Sequence, residues 1–293
     1  MSDIKEVDTN NDMRLAKRIA RSGVCSRRDA EVLITEGKVK VNGKVVDNPA
    51  TNVSIKDKII VEDNPLPDME ALRLWLYHKP VGYITTSRDE LGRKTIYDNM
   101  PDGMPRVITV GRLDLNSEGL LLLTNDGDFA RSLELPNNGW KRTYKVRVHG
   151  RISKNKLASL EKGITIDGIK YGSIAAEIIG EQTASNVWVQ ITLNEGKNRE
   201  IRRVMEHLGY KVSRLMRVSY GPFNLSTLKK GEVREVTSGQ IRQKVMGEKP
   251  KKSWAKAKPK KNRPNSKKPY TQKPKAKKSS AKKSTPVKSR VKK

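Results

Sequence analysis

The sequence predicts an α+β protein: a small helix–helix–hairpin unit, a larger domain built around a mostly antiparallel sheet, and an extended basic tail. Three observations predict it. Strictly alternating runs such as residues 142–149 (RTYKVRVH) mark half-buried strands. Single helical patterns separate those strands, as in residues 197–209 (KNREIRRVMEHLG). After Gly247 all apolar periodicity stops.

Length and charge bound the rest. A chain of 293 residues has room for two domains at about 150 residues each. Lys and Arg number 61 against 32 Asp and Glu, a net charge of +29. Residues 247–293 hold 20 of those cations and a single acid, Glu248, which leaves 41 cations against 31 acids in the body. Both parts are basic, which points to a nucleic acid or an acidic membrane surface as partner. No run of about 18 apolar residues offers a membrane span. The polar N-terminus (MSDIKEVDTN) is no secretory signal, so a cytoplasmic protein is expected. The single cysteine, Cys25, excludes intrachain disulfides and zinc sites on paired cysteines. His78, His149 and His207 are scattered, and no metal site is expected.

Residues 1–12 are polar and aperiodic and read as a disordered arm. From Met13, Leu15, Ala16, Ile19 and Ala20 recur at helical intervals up to Gly23. Ser26 and Asp29 form a capping box that opens a second helix, with Ala30, Leu33 and Ile34 inward and Gly37 as the stop. KVKVNGKVV alternates and turns at Asn42–Gly43, a hairpin signal, and VSIKDKIIV is a further strand. Residues 13–62 thus form one unit, whose first helix and following loop carry Arg14, Lys17, Arg18, Arg21, Arg27 and Arg28 with no acid before Asp29. Such a run suits a phosphate-facing surface, against the alternative of an ordinary solvated face. This unit resembles the small αL-type RNA-binding domain first seen in a small-subunit ribosomal protein.

Residues 63–70 (DNPLPDME) read as a linker. The larger domain, 71–246, opens with LRLWLYHKP, a strand that ends at a proline. A strand, a loop and a second strand closed by an Asp-Gly turn follow in VITVGRLDLNSEGLLLLTNDG. DGDFARSLELP is a short helix capped by Asp126 or Asp128. Then come the alternating strand RTYKVRVHG, the helix ISKNKLASLEKG, the strand VWVQITLNEG, the helix ending at Gly209, and the strand VSRLMRVSYGPFNL. The Lys- and Pro-rich tail, 247–293, cannot bury enough apolar surface to offset its ordering entropy and is expected to be disordered.

Neither a phosphate-cradling loop nor a G-x-S-x-G elbow is present, which argues against NTPases and serine hydrolases. The strongest candidate for chemistry is Gly111–Gly119 (GRLDLNSEG), where Asp114 lies in a loop between two apolar strands. Pattern alone leaves Asp114 open between a reactive acid and a turn residue bonded to its own backbone. Arg112 lies beside it. Arg199, Arg202 and Arg203 share helical spacing near a helix start, where one of them would keep a buried carboxylate ionised. Tyr144 lies on a strand and is either a core aromatic or a platform for a base.

These features, in this order behind an αL-type domain, resemble the bacterial pseudouridine synthases of the RsuA family. The resemblance covers Met13 to Gln240. GRLDLNSEGLLLLTNDG matches that family's catalytic loop. Asn198–Arg203 (NREIRR) with VSRLMRVSYGPF is most similar to its RluB branch, which often carries a long basic tail. RsuA and RluE relatives usually show His-Gln where this chain has Arg199-Glu200.

The resemblance implies isomerisation of a ribosomal RNA uridine to pseudouridine, large-subunit RNA being the RluB-like target, with no cofactor, metal or ATP. It implies that Asp114 is the catalytic carboxylate, Arg202 its basic partner and Tyr144 the aromatic stacked on the target base. Leu215 would close the pocket, and Arg112, Arg199 and Arg203 would contact the substrate. Assembling ribosomal particles are an alternative partner, and a monomer is expected. The rival readings are a non-catalytic RNA-binding or ribosome-assembly factor and a DNA-compacting protein with a histone-like tail.

Overall fold

The first helix begins where an apolar stripe replaces the polar arm. In the computed structural model, which describes residues 12–135, 138–183 and 185–248, β1 (Met13–Arg14) leads into α1 (Leu15–Arg21), and α2 spans Arg27–Thr35. The Ser26–Asp29 capping box forms in full: the hydroxyl accepts from Asp29 N and the carboxylate accepts from Ser26 N. Beyond α2 come β2 (Val39–Val41), β3 (Lys44–Val45), β4 (Asn52–Val53), β5 (Ile59–Val61) and β6 (Asn64–Pro65). Asn42 and Gly43, at φ 50° and 82°, make the hairpin turn between β2 and β3. Leu15, Ile19, Ala30, Ile34, Val39, Val53, Ile59 and Val61 pack as a separate small core. The expected linker begins inside this unit, because Asn64–Pro65 pairs with Ile60–Val61 and closes its sheet. The proline sits on the edge strand, where its missing N–H breaks no ladder.

The larger domain is one nine-stranded sheet. Its strands are β7 (Leu74–Lys79), β8 (Ile108–Val110), β9 (Glu118–Thr124), β10 (Arg142–His149), β13 (Ile174–Ile179), β14 (Asn186–Leu193), β15 (Val212–Tyr220), β16 (Phe223–Asn224) and β17 (Val233–Val236). A separate hairpin, β11 (Ile164–Ile166) and β12 (Ile169–Tyr171), precedes β13. The helices are α3 (Gly127–Glu134), α4 (Lys154–Ala158), α5 (Glu200–His207) and α6 (Ser238–Val245). The main strand order is β13-β14-β10-β15-β9-β7-β17. All its pairs are antiparallel except β15 with β9, where Met216 and Arg217 lie beside Glu118 and Gly119.

Both faces of the sheet are covered. Alternation on β9 sends Leu121 and Leu123 into one core with Tyr77, Tyr144, Val146, Ile201 and Leu215, and Leu120 and Leu122 into another with Leu74, Leu133, Tyr220 and Phe223. At the parallel seam the backbones approach closely. A Cβ on Gly119 would lie 2.2 Å from the Arg217 carbonyl oxygen, and Gly119 has φ 108°, so only glycine fits.

Several expectations change in detail. Asp126, not Asp128, caps α3, accepting from the N–H groups of Asp128 and Phe129. The helix expected over ISKNKLASLEKG is a five-residue α4 followed by a 3-10 turn at Ser159–Lys162. The sequence reading passed over the β11–β12 hairpin, β13, β17 and α6. The expected arm and tail lie outside the described residues, apart from Asp12, Gly247 and Glu248. No helix among the described residues is long and apolar enough to cross a membrane.

The small N-terminal unit docks on the sheet domain through ion pairs. Arg21 meets Asp126 at 2.7 Å, Lys17 meets Asp128 at 2.5 Å, and Arg88 reaches Asp29 at 3.0 Å. The carboxylate that caps α3 therefore also receives the first helix of the other unit.

Candidate active site

Asp114 lies in the loop between β8 and β9, at the end of the sheet where the parallel seam begins. The loop is fixed from beneath by Lys79, the last residue of β7. This lysine is fully buried, and its ammonium donates to the carbonyls of Pro80 (3.0 Å), Asp114 (3.1 Å) and Ser117 (2.9 Å). Burial pushes Lys79 down to about 8, while Asp114 and Glu118 pull the other way. A second tie comes from the Gly111 N–H, which donates to the Glu134 carboxylate at 2.6 Å. The Asp114 side chain keeps 34% of its surface, so its carboxylate faces open space while its backbone is held.

That space is a cleft of about 670 Å³. Arg112, Asp114, Tyr144, Arg199 and Leu215 all line it. Tyr144 and Leu215 are buried with one side in the apolar core, and Arg112 is exposed at the rim. Arg199 caps α5 in the left-handed region (φ 52°) and brings its guanidinium to 3.9 Å from the Asp114 carboxylate. A non-glycine residue in this conformation costs on the order of 1 kcal/mol, which the surrounding bonds must offset. Those bonds run from Glu200 N to the Lys197 carbonyl, from Lys197 N to the Glu200 carboxylate and from Arg203 N to the Arg199 carbonyl.

Arg202 and Arg203 do not line the cleft. Arg202 clamps the loop from behind, donating to the carbonyls of Asn116 (2.7 Å) and Val212 (3.4 Å). Burial and then Arg199 lower its pKa, and the nearby Asp114 raises it. Arg203 is exposed on the outer side of α5. The guanidinium in ion-pair range of Asp114 is thus that of Arg199, one helical turn before Arg202, the partner that the resemblance implied.

The six cations of the N-terminal unit also divide. Arg14, Arg27 and Arg28 are exposed. Lys17 and Arg21 pair with acids of the sheet domain. Arg18 is buried and donates to the Ser22 hydroxyl at 2.7 Å. Three of the six therefore have structural partners instead of facing solvent.

Sequence reasoning missed four further polar residues at the cleft or under its loop. Besides Lys79 these are Arg142, Arg217 and Glu200, each buried with the latter three lining the cleft. Burial pushes Glu200 up to about 7, opposed by the Lys197 N–H and reinforced by Glu195. A signal existed for the arginines: Arg142 and Arg217 lie on alternating strands at positions whose neighbours two residues away, Tyr144 and Leu215, were already assigned inward.

Comparison with known proteins decides the family. A model described as RNA pseudouridylate synthase matches residues 73–207, and an S4 domain model matches residues 13–59. An RNA pseudouridine synthase of Rickettsia felis is 51% identical over 225 residues, 77% of this chain and 97% of the relative. The chain belongs to the RNA pseudouridylate synthase family. It is an isomerase with an S4 domain ahead of its synthase domain. The ribosomal large subunit pseudouridine synthase B of Bacillus subtilis is 40% identical over 230 residues, 78% of this chain and 94% of the relative. A solved pseudouridylate synthase structure is 30% identical, with a TM-score of 0.57, and covers 80% of this chain and 100% of that one. Within this family the αL-type unit is the S4 domain, and Asp114, Tyr144 and Arg199 at the cleft lie inside the matched synthase region.

Proposed function

We propose that this synthase isomerises a uridine of large-subunit ribosomal RNA, with Asp114 as the catalytic carboxylate. The observation that carries the reading is Asp114 itself: an open carboxylate on a tethered loop, in a cleft it shares with Tyr144, with Arg199 at 3.9 Å. The target nucleotide leaves its stack to reach the cleft, as enzymes acting on bases require. Tyr144 offers the face on which the uracil stacks, and Leu215 closes the apolar side. The Asp114 side chain then attacks the anomeric carbon or removes the adjacent sugar proton, and both routes release the uracil for reattachment through carbon 5.

Arg112 stands where the cleft meets a second groove of about 750 Å³ lined by Tyr97, Met104 and Arg106, so an RNA strand can pass along its side. Arg14, Arg27 and Arg28 on the S4 domain, with the basic tail, supply phosphate contacts whose strength falls with salt. The large-subunit target rests on likeness to proteins named for that substrate.

The test uses unmodified ribosomal RNA, purified protein and Asp114→Asn, with pseudouridine mapped by carbodiimide-blocked primer extension. The expected result is one new stop in large-subunit RNA with the wild type alone. A stop in small-subunit RNA overturns the target. Tight binding with no stop on free RNA or assembly particles overturns the chemistry and favours a non-catalytic assembly factor.

A further inference from the structure

We propose that Arg217 is a further catalytic residue, the cation that stabilises the uracil anion as it leaves the sugar. The inference rests on the isomerisation reading above, in which the target uracil stacks on Tyr144.

Arg217 is 3% exposed yet lines the cleft. In strand register it is the direct partner of Tyr144. A bulge in β15 arranges this. Thr143 faces Ser219 and Tyr144 faces Arg217, so Val218 is the extra residue. The extra residue resets the alternation, so that Arg217 stands on the same side as Tyr144 and Arg142. Both guanidinium groups then approach the Tyr220 ring, at 4.8 Å from its centroid for Arg142 and 5.1 Å for Arg217.

The two arginines differ in what remains free. Arg142 donates to the carbonyls of Asn194, Glu134 and Trp140 and to the Tyr220 hydroxyl, which fully occupies its two terminal nitrogens. Arg217 donates once, from Nε to the Leu120 carbonyl at 2.7 Å, and its Nη2 has no acceptor. Among the described residues no carboxylate lies within 4.0 Å of it. The acid closest in register, Glu118, is held by Arg214 and by Lys230 at 3.0 Å instead. Buried cations in proteins are ordinarily paired, so a buried arginine with a free donor on a substrate cleft awaits an anion.

The reaction supplies one at this place. When the bond between the anomeric carbon and N1 breaks, its electron pair goes to N1 and spreads to the two ring carbonyl oxygens. The detached uracil carries the negative charge until C5 attacks the anomeric carbon and the C5 proton leaves. A base stacked on Tyr144 presents its edge to Arg217, the cross-strand neighbour. A fixed cation in a site that excludes water favours this charge more than it favours the neutral base, which lowers the barrier.

The test measures single-turnover conversion and binding of a defined large-subunit ribosomal RNA fragment by wild type, Arg217→Gln and Arg217→Lys in the full chain. The expected result for Arg217→Gln is a rate at saturating RNA lower by about 100-fold, the effect of losing one such donor. Its dissociation constant should stay within about two-fold, and the salt dependence of binding should not change. Arg217→Lys, which keeps the charge, should recover part of the rate, and it carries the test if thermal melting shows the glutamine variant unfolded. A weaker dissociation constant, with a salt slope reduced by about 1 and an unchanged saturated rate, would make Arg217 a phosphate contact and overturn the proposal. Unchanged rate and binding would overturn it as well. No product from the wild type sinks the isomerisation reading itself, a failure distinct from an active Arg217→Gln.

Discussion

Lys79→Met removes the ammonium under the Asp114 loop and keeps the length of the side chain. The depression from 10.5 to about 8 means that holding the charged amine in the fold costs roughly 3 kcal/mol, which the substitution recovers. Against this, three carbonyls lose a donor, those of Pro80, Asp114 and Ser117. Orphaned buried acceptors cost about 1–3 kcal/mol each, so the balance is a net loss of about 3 kcal/mol. At about 2–4 °C per kcal/mol for a protein of this size, the melting temperature should fall by roughly 6–12 °C. Catalysis should fall further than stability implies. Two of the three carbonyls belong to the loop that carries Asp114, and misplacing a reacting group by about 1 Å can cost about 100-fold in rate. The assay is single-turnover pseudouridine formation at a temperature where circular dichroism shows both proteins folded. A folded Lys79→Met protein with an undiminished rate would refute the tether, whatever its melting temperature.

Two other perturbations follow from the same geometry. Glu200, raised from 4.5 to about 7 by burial, holds a proton in the fold that the unfolded chain releases, so its stabilising contribution is full below about pH 4.5 and is lost as pH rises through 7. Relative to Glu200→Gln, the wild type should therefore lose roughly 3 kcal/mol between those limits, measured by denaturant melts across pH; parallel curves would contradict the buried proton. Arg21→Ala should cost about 1–3 kcal/mol, because it leaves the largely buried Asp126 carboxylate without its cation. A double-mutant cycle with Asp126→Asn should show coupling, and additive losses would mean that the contact between the units does not depend on this pair.

Local signals carried much of the fold. Asn42–Gly43 and the Ser26–Asp29 box each fix their own geometry within a few residues, and both appear as read. The alternation of β10 and β14 declares a buried face in the same way. β13 and β17 were harder, because SIAAEIIG and VREV lack clean alternation and are edge strands defined by partners remote in sequence. The loop of Asp114 was legible as a stretch of sequence, but its support was not. Lys79 looks like the polar end of a strand until the loop is laid over it. The choice of Arg199 over Arg202 as the neighbour of Asp114 depends on a left-handed turn at Arg199 that no glycine advertises. The S4 cations show the same limit: whether Lys17 and Arg21 meet phosphate or protein is decided by Asp126 and Asp128, more than a hundred residues away.

The pairing order of the large sheet has a consequence for synthesis. Strand β7 is hydrogen-bonded on one side to β17, with Tyr77 opposite Val233, and β9 meets β15 along the parallel seam. Both partners are made last. At about 5–20 residues per second, the ribosome takes on the order of ten seconds to produce them after β7 emerges. During that interval the nascent chain leaves open the edge of β7 and the Glu118–Gly119 end of β9, whose Leu122–Thr124 half already pairs with β8. The S4 unit has its own core and can close at once. The synthase half must wait, which makes it the segment most dependent on chaperones and the one from which aggregation would start if translation stalled before Val212.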